Sequence, residues 1–438
     1  MPELLLRLLR LLQRLLLRLL RLSDATVHER WAAAWTAVAF FCVLFAYYLL
    51  RPLRESVGSA FGTGRLIGLF ALTFVLTTLL NQPYMALVRR FPSHRFLPYA
   101  LHAFAGSFLL LAAWFTTGSP TLGALDFGDL RGCSYALFYS WVTAFSVCGV
   151  TLVWVHAVEW FSLAQGKRLF ALVSVGGTLG AVLGSSLSKQ LANLPYASLC
   201  LLAAVAIECG VLAWWCSLRS CRRMGRVVAP KSTNGPGFIA GLARVVREPY
   251  LRGIGLFVLI AAVVATSFYY QRMGVLAGLE ETVRRQVEAD INFWQNLLCV
   301  VLQLFATSRA MLALGVATVL CVMPLASLFG FVALGVWPLV AVVQVVEILR
   351  RMLQFAFDKP ARELLYTPLD AEAKYVSKAV VDTAVLRTGD LLGAVLNNVL
   401  VWARVGPVAL LATALPVLTG WLLLGRWLGR ECTRRERS

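Results

Sequence analysis

Arg51, Arg54 and Glu55 stand at i, i+3 and i+4, so one helical face carries all three, directly after Tyr47 and Tyr48. Tyr269, Tyr270 and Arg272 close a second apolar run in a similar way. In a third, Gln344, Glu347, Arg351, Gln354 and Asp358 fall at spacings of 3, 4, 3 and 4, which draws one polar stripe down a helix. Guanidinium groups beside phenol rings suit an anionic, planar or phosphorylated solute. The tyrosines are equally consistent with an interfacial aromatic belt. His156 and Glu159, three apart, and Glu347 are candidates to carry a proton.

A denser block follows. Lys374, Lys378 and Asp382 form an i, i+4, i+8 stripe, and Arg387 and Asp390 pair at i, i+3 on a different face, with Glu363 just upstream. These groups either touch a ligand, Lys378 and Arg387 first, or are buried ion pairs that lock gates. Small residues mark a different role. Gly176, Gly180 and Gly184 recur every fourth position, and Gly389 and Gly393 repeat the spacing. Such faces let helices approach closely and slide.

The elements that must position these groups are membrane helices. The chain is 59% hydrophobic and 14% charged, against about half and about a quarter in soluble domains. Apolar runs near the roughly 20 residues that span a bilayer are expected at 32–50, 66–88, 96–117, 133–156, 168–187, 196–218, 252–271, 290–308, 311–332, 334–356, 377–402 and 407–428. The fold class is therefore an all-α polytopic membrane protein with twelve transmembrane helices. The first 22 residues carry arginines throughout, so no cleavable signal peptide is expected. Arg7, Arg10, Arg14, Arg18 and Arg21 share one stripe of a leucine-rich segment, the pattern of a helix lying in the membrane interface.

Loop charges set the orientation. Arg89, Arg90, Arg95, Lys167, Arg168 and the basic stretch after the sixth run alternate with loops poor in Lys and Arg. Both termini are thus expected in the cytoplasm. Arg284 and Arg285 depart from the pattern and are offset by Glu280, Glu281 and Glu288. The net charge of +19 then faces lipid head groups, and no nucleic-acid partner is needed. The ten cysteines form no CxxC pair, and no zinc cluster, phosphate-binding loop or nucleophile motif is present. Neither a metal, a cofactor nor an enzyme is expected.

The chain divides as a cationic segment 1–30, six runs in 31–218, a basic linker 219–250, six more in 251–428, and a basic tail 429–438. "FAYYLLRPLRES" at the end of the first run is echoed by "TSFYYQRMG" at the end of the seventh, and "GTLGAVLG" in the fifth by "GDLLGAVL" in the eleventh. Echoes six helices apart imply parallel repeats, as in major facilitator transporters. In that arrangement the first helix of each triplet lines a central cavity and the third faces lipid. A charge at the bilayer centre costs roughly 2.5–3.5 kcal/mol, and the third-class runs hold no Asp, Glu or Lys between their ends except Glu208.

The segment "ARELLYT…EAKYVSKAVVDT…RTGD" resembles a stretch typical of the ATP/ADP translocase (nucleotide exchange) family. The matching positions are Arg362, Glu363, Tyr366, Thr367, Glu372, Lys374, Tyr375, Lys378, Asp382, Thr383, Arg387, Gly389 and Asp390. "INFWQNLL…LQLF" at 291–305 and "YYLLRPLRES" at 47–56 are similar to two further blocks of that family, in family order. The resemblance implies a twelve-helix carrier working by alternating access, exchanging nucleotides in its named members. The chain departs from them in length, and "ALVRRFPSHR" lacks the Gly and Asp of the usual facilitator signature. The expected function is secondary transport of a small organic anion, with a nucleotide as the first candidate, by a monomer in contact with membrane lipids. Arg51, Arg54 and Arg351 would draw in the anion, and Tyr47, Tyr48 and Tyr270 would stack on a base. The alternative is a proton-coupled exporter of drugs or metabolites.

Overall fold

The computed structural model describes residues 26–90, 93–116, 125–161, 163–224, 238–369, 377–378, 380–403 and 407–437. The leucine/arginine segment, Lys374, and the linker stretch 225–237 lie outside them.

Among the described residues the chain is helical throughout, with no strand. The helices are α1 Val27–Phe61, α2 Leu66–Arg90, α3 Ser93–Thr116, α4 Leu130–Trp160, α5 Leu163–Gln190, α6 Tyr196–Arg223, α7 Phe238–Arg247, α8 Pro249–Leu276, α9 Glu281–Leu302, α10 Ser308–Leu320, α11 Val322–Val336, α12 Val340–Leu353, α13 Lys359–Leu364, α14 Leu386–Trp402 and α15 Pro407–Arg437. Helix is the outcome that hydrocarbon enforces, because every backbone N–H and C=O must find its partner within the segment. Seven described helices are long and apolar enough to cross a membrane, and the bent pair 309–320 and 322–336 makes an eighth. The expected runs 168–187, 290–308 and 407–428 fall in α5, α9 with the turns after it, and α15, while 334–356 is split by the irregular residues 337–339 between α11 and α12. Single π turns at Gln303–Thr307, Gln354–Asp358 and Val381–Val385 interrupt three of the later runs; such turns are frequent at functional sites.

The chain forms two compact units. The first takes the described residues of Met1–Leu53, Thr78–Pro120 and Trp141–Thr233; the second takes those of Arg54–Thr77, Thr121–Ser140 and Asn234–Ser438. In the first unit, Gly176, Gly180 and Gly184 of α5 lie against the backbone of Ala37, Phe41 and Phe45 of α1. A Cβ on Gly184 would sit 2.6 Å from the Phe45 carbonyl oxygen, so only glycine permits the approach. In the second unit, Gly389 and Gly393 of α14 lie against Leu259 and Val263 of α8, where an added Cβ would come within 2.9 and 3.1 Å of their carbonyl oxygens.

The two contacts share one register. Ala37 and Leu259 each stand ten residues before the first tyrosine of a Tyr-Tyr pair, Tyr47 and Tyr269, while Phe41 and Val263 stand six before. Gly180 and Gly393 both open the string Gly-Ala-Val-Leu. Each of the two echoed helix pairs therefore packs on the same residues of its own echo.

Glu208, the unexplained charge of α6, bonds in the first unit to His102 of α3 at 2.9 Å. Both side chains are about half exposed, so the bond joins two helices where lipid offers no other polar partner.

Candidate functional site

The second unit gathers a buried charged cluster from three parts of the sequence. Pro52 sits inside α1 and removes one rung of its ladder. The turn beyond it presents Arg54 and Glu55. Arg54 Nη1 donates to Glu55 Oε1 at 2.7 Å. Arg272, near the end of α8, donates from Nη2 to Glu55 Oε2 at 3.4 Å and from Nη1 to Glu288 Oε2 of α9 at 3.1 Å. Arg272, Glu55 and Glu288 are each about 1% exposed. One arginine thus bridges two carboxylates 233 positions apart in sequence, a charge-assisted arrangement of the stronger kind.

Aromatic rings close over this bridge. Tyr139 of α4 donates its hydroxyl to that of Tyr269 at 2.9 Å. The Arg54 guanidinium lies 4.0 Å from the Tyr139 ring centre, and that of Arg272 lies 5.1 Å from the Tyr269 ring centre, both within cation–π range. Phe70 meets Tyr269 edge-on at 5.5 Å. Gly58 leaves the space that the Tyr269 hydroxyl fills. Tyr270 turns away and donates to the Ala394 carbonyl at 3.2 Å.

One turn along α9 the polar wall continues. Glu347 of α12 accepts from Arg351 Nε at 2.7 Å and from Arg350 Nη2 at 3.1 Å, and Arg351 Nη1 donates to Asn292 Oδ1 at 3.2 Å. Glu347, Asn292 and Gln295 are at most 1% exposed. Among the described residues, four arginines (54, 272, 350 and 351) and three carboxylates (55, 288 and 347) thus share one buried network.

The other expected site residues fall in several places. Arg51 lies in the first unit, 5.8 and 5.3 Å from the ring centres of Tyr47 and Tyr48. His156, also there, is buried, with Nε2 3.2 Å from Ser217 Oγ and its ring 5.7 Å from that of Trp214. Glu159 is half-buried one turn on. In the second unit Lys378 pairs with Glu363, Arg387 pairs with Asp390 at 3.1 Å, and Asp382 is exposed. Arg351 and Glu347, assigned different tasks from sequence, are bonded to each other.

Two members of the cluster were not singled out from sequence. Glu288 read as a loop charge balancing Arg284 and Arg285, yet α9 already begins at Glu281. Its signal was present, since Glu288 precedes Asn292 by four and so continues the polar stripe of Asn292, Gln295 and Asn296. Arg350 bonds the same carboxylate as Arg351 but lies beside the stripe.

These features define a multi-pass, all-helical membrane protein with charges held inside it. Residues 265–431 match the family described as TLC ATP/ADP transporter, a family of carriers and not of enzymes. The ADP,ATP carrier protein 1 of Chlamydia muridarum (strain MoPn / Nigg) is 24% identical over 437 residues, covering 82% of this chain and 80% of that one. The ATP/ADP translocase resemblance read from the residues therefore holds. Among solved structures, the nucleoside transporter NupG superposes with a TM-score of 0.55 at 10% identity, covering 94% of this chain and 100% of that one. An inward-facing bacterial homologue of the human lysosomal transporter Spinster gives 0.53 at 12%, covering 93% and 94%. At such identities these two speak for the major facilitator fold alone.

Proposed function

We propose that the protein is a secondary carrier of a small organic anion, with nucleotides as the first class of substrate, working by alternating access. The observation that carries this reading is the buried network that gathers Arg54, Arg350 and Arg351 around Arg272. Tyrosine and phenylalanine rings lie beside it, suited to a planar base as the guanidinium groups are to phosphate. The name of the chlamydial relative points to the same substrate class.

In this reading the chain has twelve spans in two repeated halves, 31–218 and 251–428, joined by a cytoplasmic linker, in a bacterial inner membrane with both termini cytoplasmic. The shared glycine register on α1 and α8 supports the repeat. Glu55 comes from the first half and Arg272 and Glu288 from the second. Their bridge is then a latch that breaks when the halves rock, while an entering anion competes with the carboxylates for the arginines. Lys378–Glu363 and Arg387–Asp390 are further pairs able to break and re-form. Buried pairs that exchange partners, rather than vanish, keep the cost of moving small.

Counterflow in proteoliposomes tests this. Protein is reconstituted with unlabelled ATP or ADP inside and labelled nucleotide outside. Saturable exchange that is lost in Arg54→Ala and Arg351→Ala, with both variants folded, is the expected result. No exchange across a panel of nucleotides by folded protein would sink the nucleotide assignment and move the search to other anions and to proton-driven export.

A further inference from the structure

In the second unit two helix ends enclose a cavity that the transport reading leaves unused. α10 is broken at Gly315, whose φ of 73° and ψ of 162° fall in a region that only glycine occupies without strain. The break faces the last turns of α15 and leaves a cavity of about 370 Å³. One wall is 315–317; the other is Gly429, Arg430, Thr433 and Arg434. At its floor the helices touch, because a side chain on Gly429 would overlap the Ala317 backbone. At Gly315 an added Cβ would meet nothing within 4 Å, so that end is open.

The chemistry of the walls is specific. Arg426, Arg430 and Arg434 repeat every fourth residue, so one face of α15 carries all three. Glu431 is the nearby acid, and it already accepts from Arg434 and Arg435, each at 3.0 Å. The Thr433 hydroxyl donates to the Gly429 carbonyl at 3.0 Å. Arg430 and Arg434 are the charged groups of the cavity wall. Beside the break, Leu312 and Leu314 are 88% and 56% exposed, on a helix pair apolar enough to cross a membrane. A cationic pocket with an apolar rim at the end of spanning helices matches an amphiphile with an anionic head. A wholly soluble anion would gain nothing from the exposed leucines.

We propose that this cavity binds the phosphate of an anionic phospholipid headgroup, with Arg430 and Arg434 as its charged wall and Leu312 and Leu314 beside the acyl chains. A lipid seated there clamps broken α10 to the end of α15. The clamp adds stability to a contact in which Gly429 lies against the Ala317 backbone.

Thermal unfolding of the full chain in neutral detergent, with phosphatidylglycerol, phosphatidylcholine or inorganic phosphate added separately, tests the site. Phosphatidylglycerol is expected to raise the unfolding temperature, and the other two are not. The rise should be lost in the double variant Arg430→Ala, Arg434→Ala and largely kept in Arg430→Lys, Arg434→Lys. Arg222→Ala, Arg223→Ala removes equal charge from the exposed end of α6 and should keep it in full. The proposal is overturned by an undiminished rise in the alanine pair at 430 and 434. An equal loss in the α6 variant would reduce the effect to diffuse charge, and an equal rise with phosphate alone would make the site one for soluble anions; either outcome overturns the lipid assignment. Should the alanine pair fail to fold, native mass spectrometry of the unchanged chain decides, with preferential retention of phosphatidylglycerol supporting the site and equal retention of phosphatidylcholine overturning it.

Discussion

The Arg272 guanidinium donates to the Glu288 carboxylate at 3.1 Å with both side chains almost wholly out of solvent. Removing one partner of such a pair strands a buried charge, which costs about 3–5 kcal/mol. Glu288→Ala should therefore lower the unfolding temperature in detergent sharply, and Glu288→Asp should restore part of the loss. The exchanged pair Arg272→Glu, Glu288→Arg should be more stable than either single exchange. If the double exchange is no better than its parts, the bridge contributes through packing and not through charge.

The Tyr139 hydroxyl donates to that of Tyr269, while its ring supports Arg54. Two substitutions separate the roles. Tyr139→Phe removes one neutral hydrogen bond and should cost about 0.5–1.5 kcal/mol. Tyr139→Leu also removes the cation–π contact and should cost at least about 0.5 kcal/mol more. Equal unfolding midpoints for the two variants would show that the ring face does not hold Arg54.

Much of this was legible in the chain. Apolar runs marked helices along the described chain, seven of them long and apolar enough to span and an eighth as a bent pair, because hydrocarbon leaves backbone no other choice. The stripe on α12 marked Glu347 and Arg351 for the interior, and the glycine repeats marked α5 and α14 for close packing. What stayed hidden were partnerships. Nothing local to Glu55 says that its carboxylate meets Arg272, 217 positions away, and nothing near Glu208 says that His102 stands opposite. Glu288 was obscured differently: a spanning run is recognised by hydropathy, and a polar first turn falls below that threshold even when it is buried.

Glu347 accepts two arginines through one oxygen, which distinguishes it from the other proposed proton carriers. Glu347→Gln leaves Arg350 and Arg351 without their counter-charge, so its first effect should be on folding, with unfolding at lower temperature and weaker exchange at every pH tested. A changed pH profile of exchange in Glu159→Gln alone would place the coupling group on α4. A shifted pH profile in well-folded Glu347→Gln would return that role to α12.

The shared register makes a final pair of substitutions informative together. A Cβ on Gly180 would overlap the Phe41 backbone, and one on Gly393 would come within 2.8 Å of Thr266 and 3.1 Å of the Val263 backbone. Backbone cannot step aside as a side chain can, so each alanine should cost about 1–3 kcal/mol, with the larger loss at Gly180 where the overlap is deeper. Gly420 meets nothing within 4 Å and Gly420→Ala should be neutral or slightly stabilising, since alanine is the better helix former. Unfolding midpoints of the three single variants check the ranking. A Gly393→Ala chain as stable as Gly420→Ala would mean that α14 and α8 separate without cost, and the parallel with α5 and α1 would then be one of sequence alone.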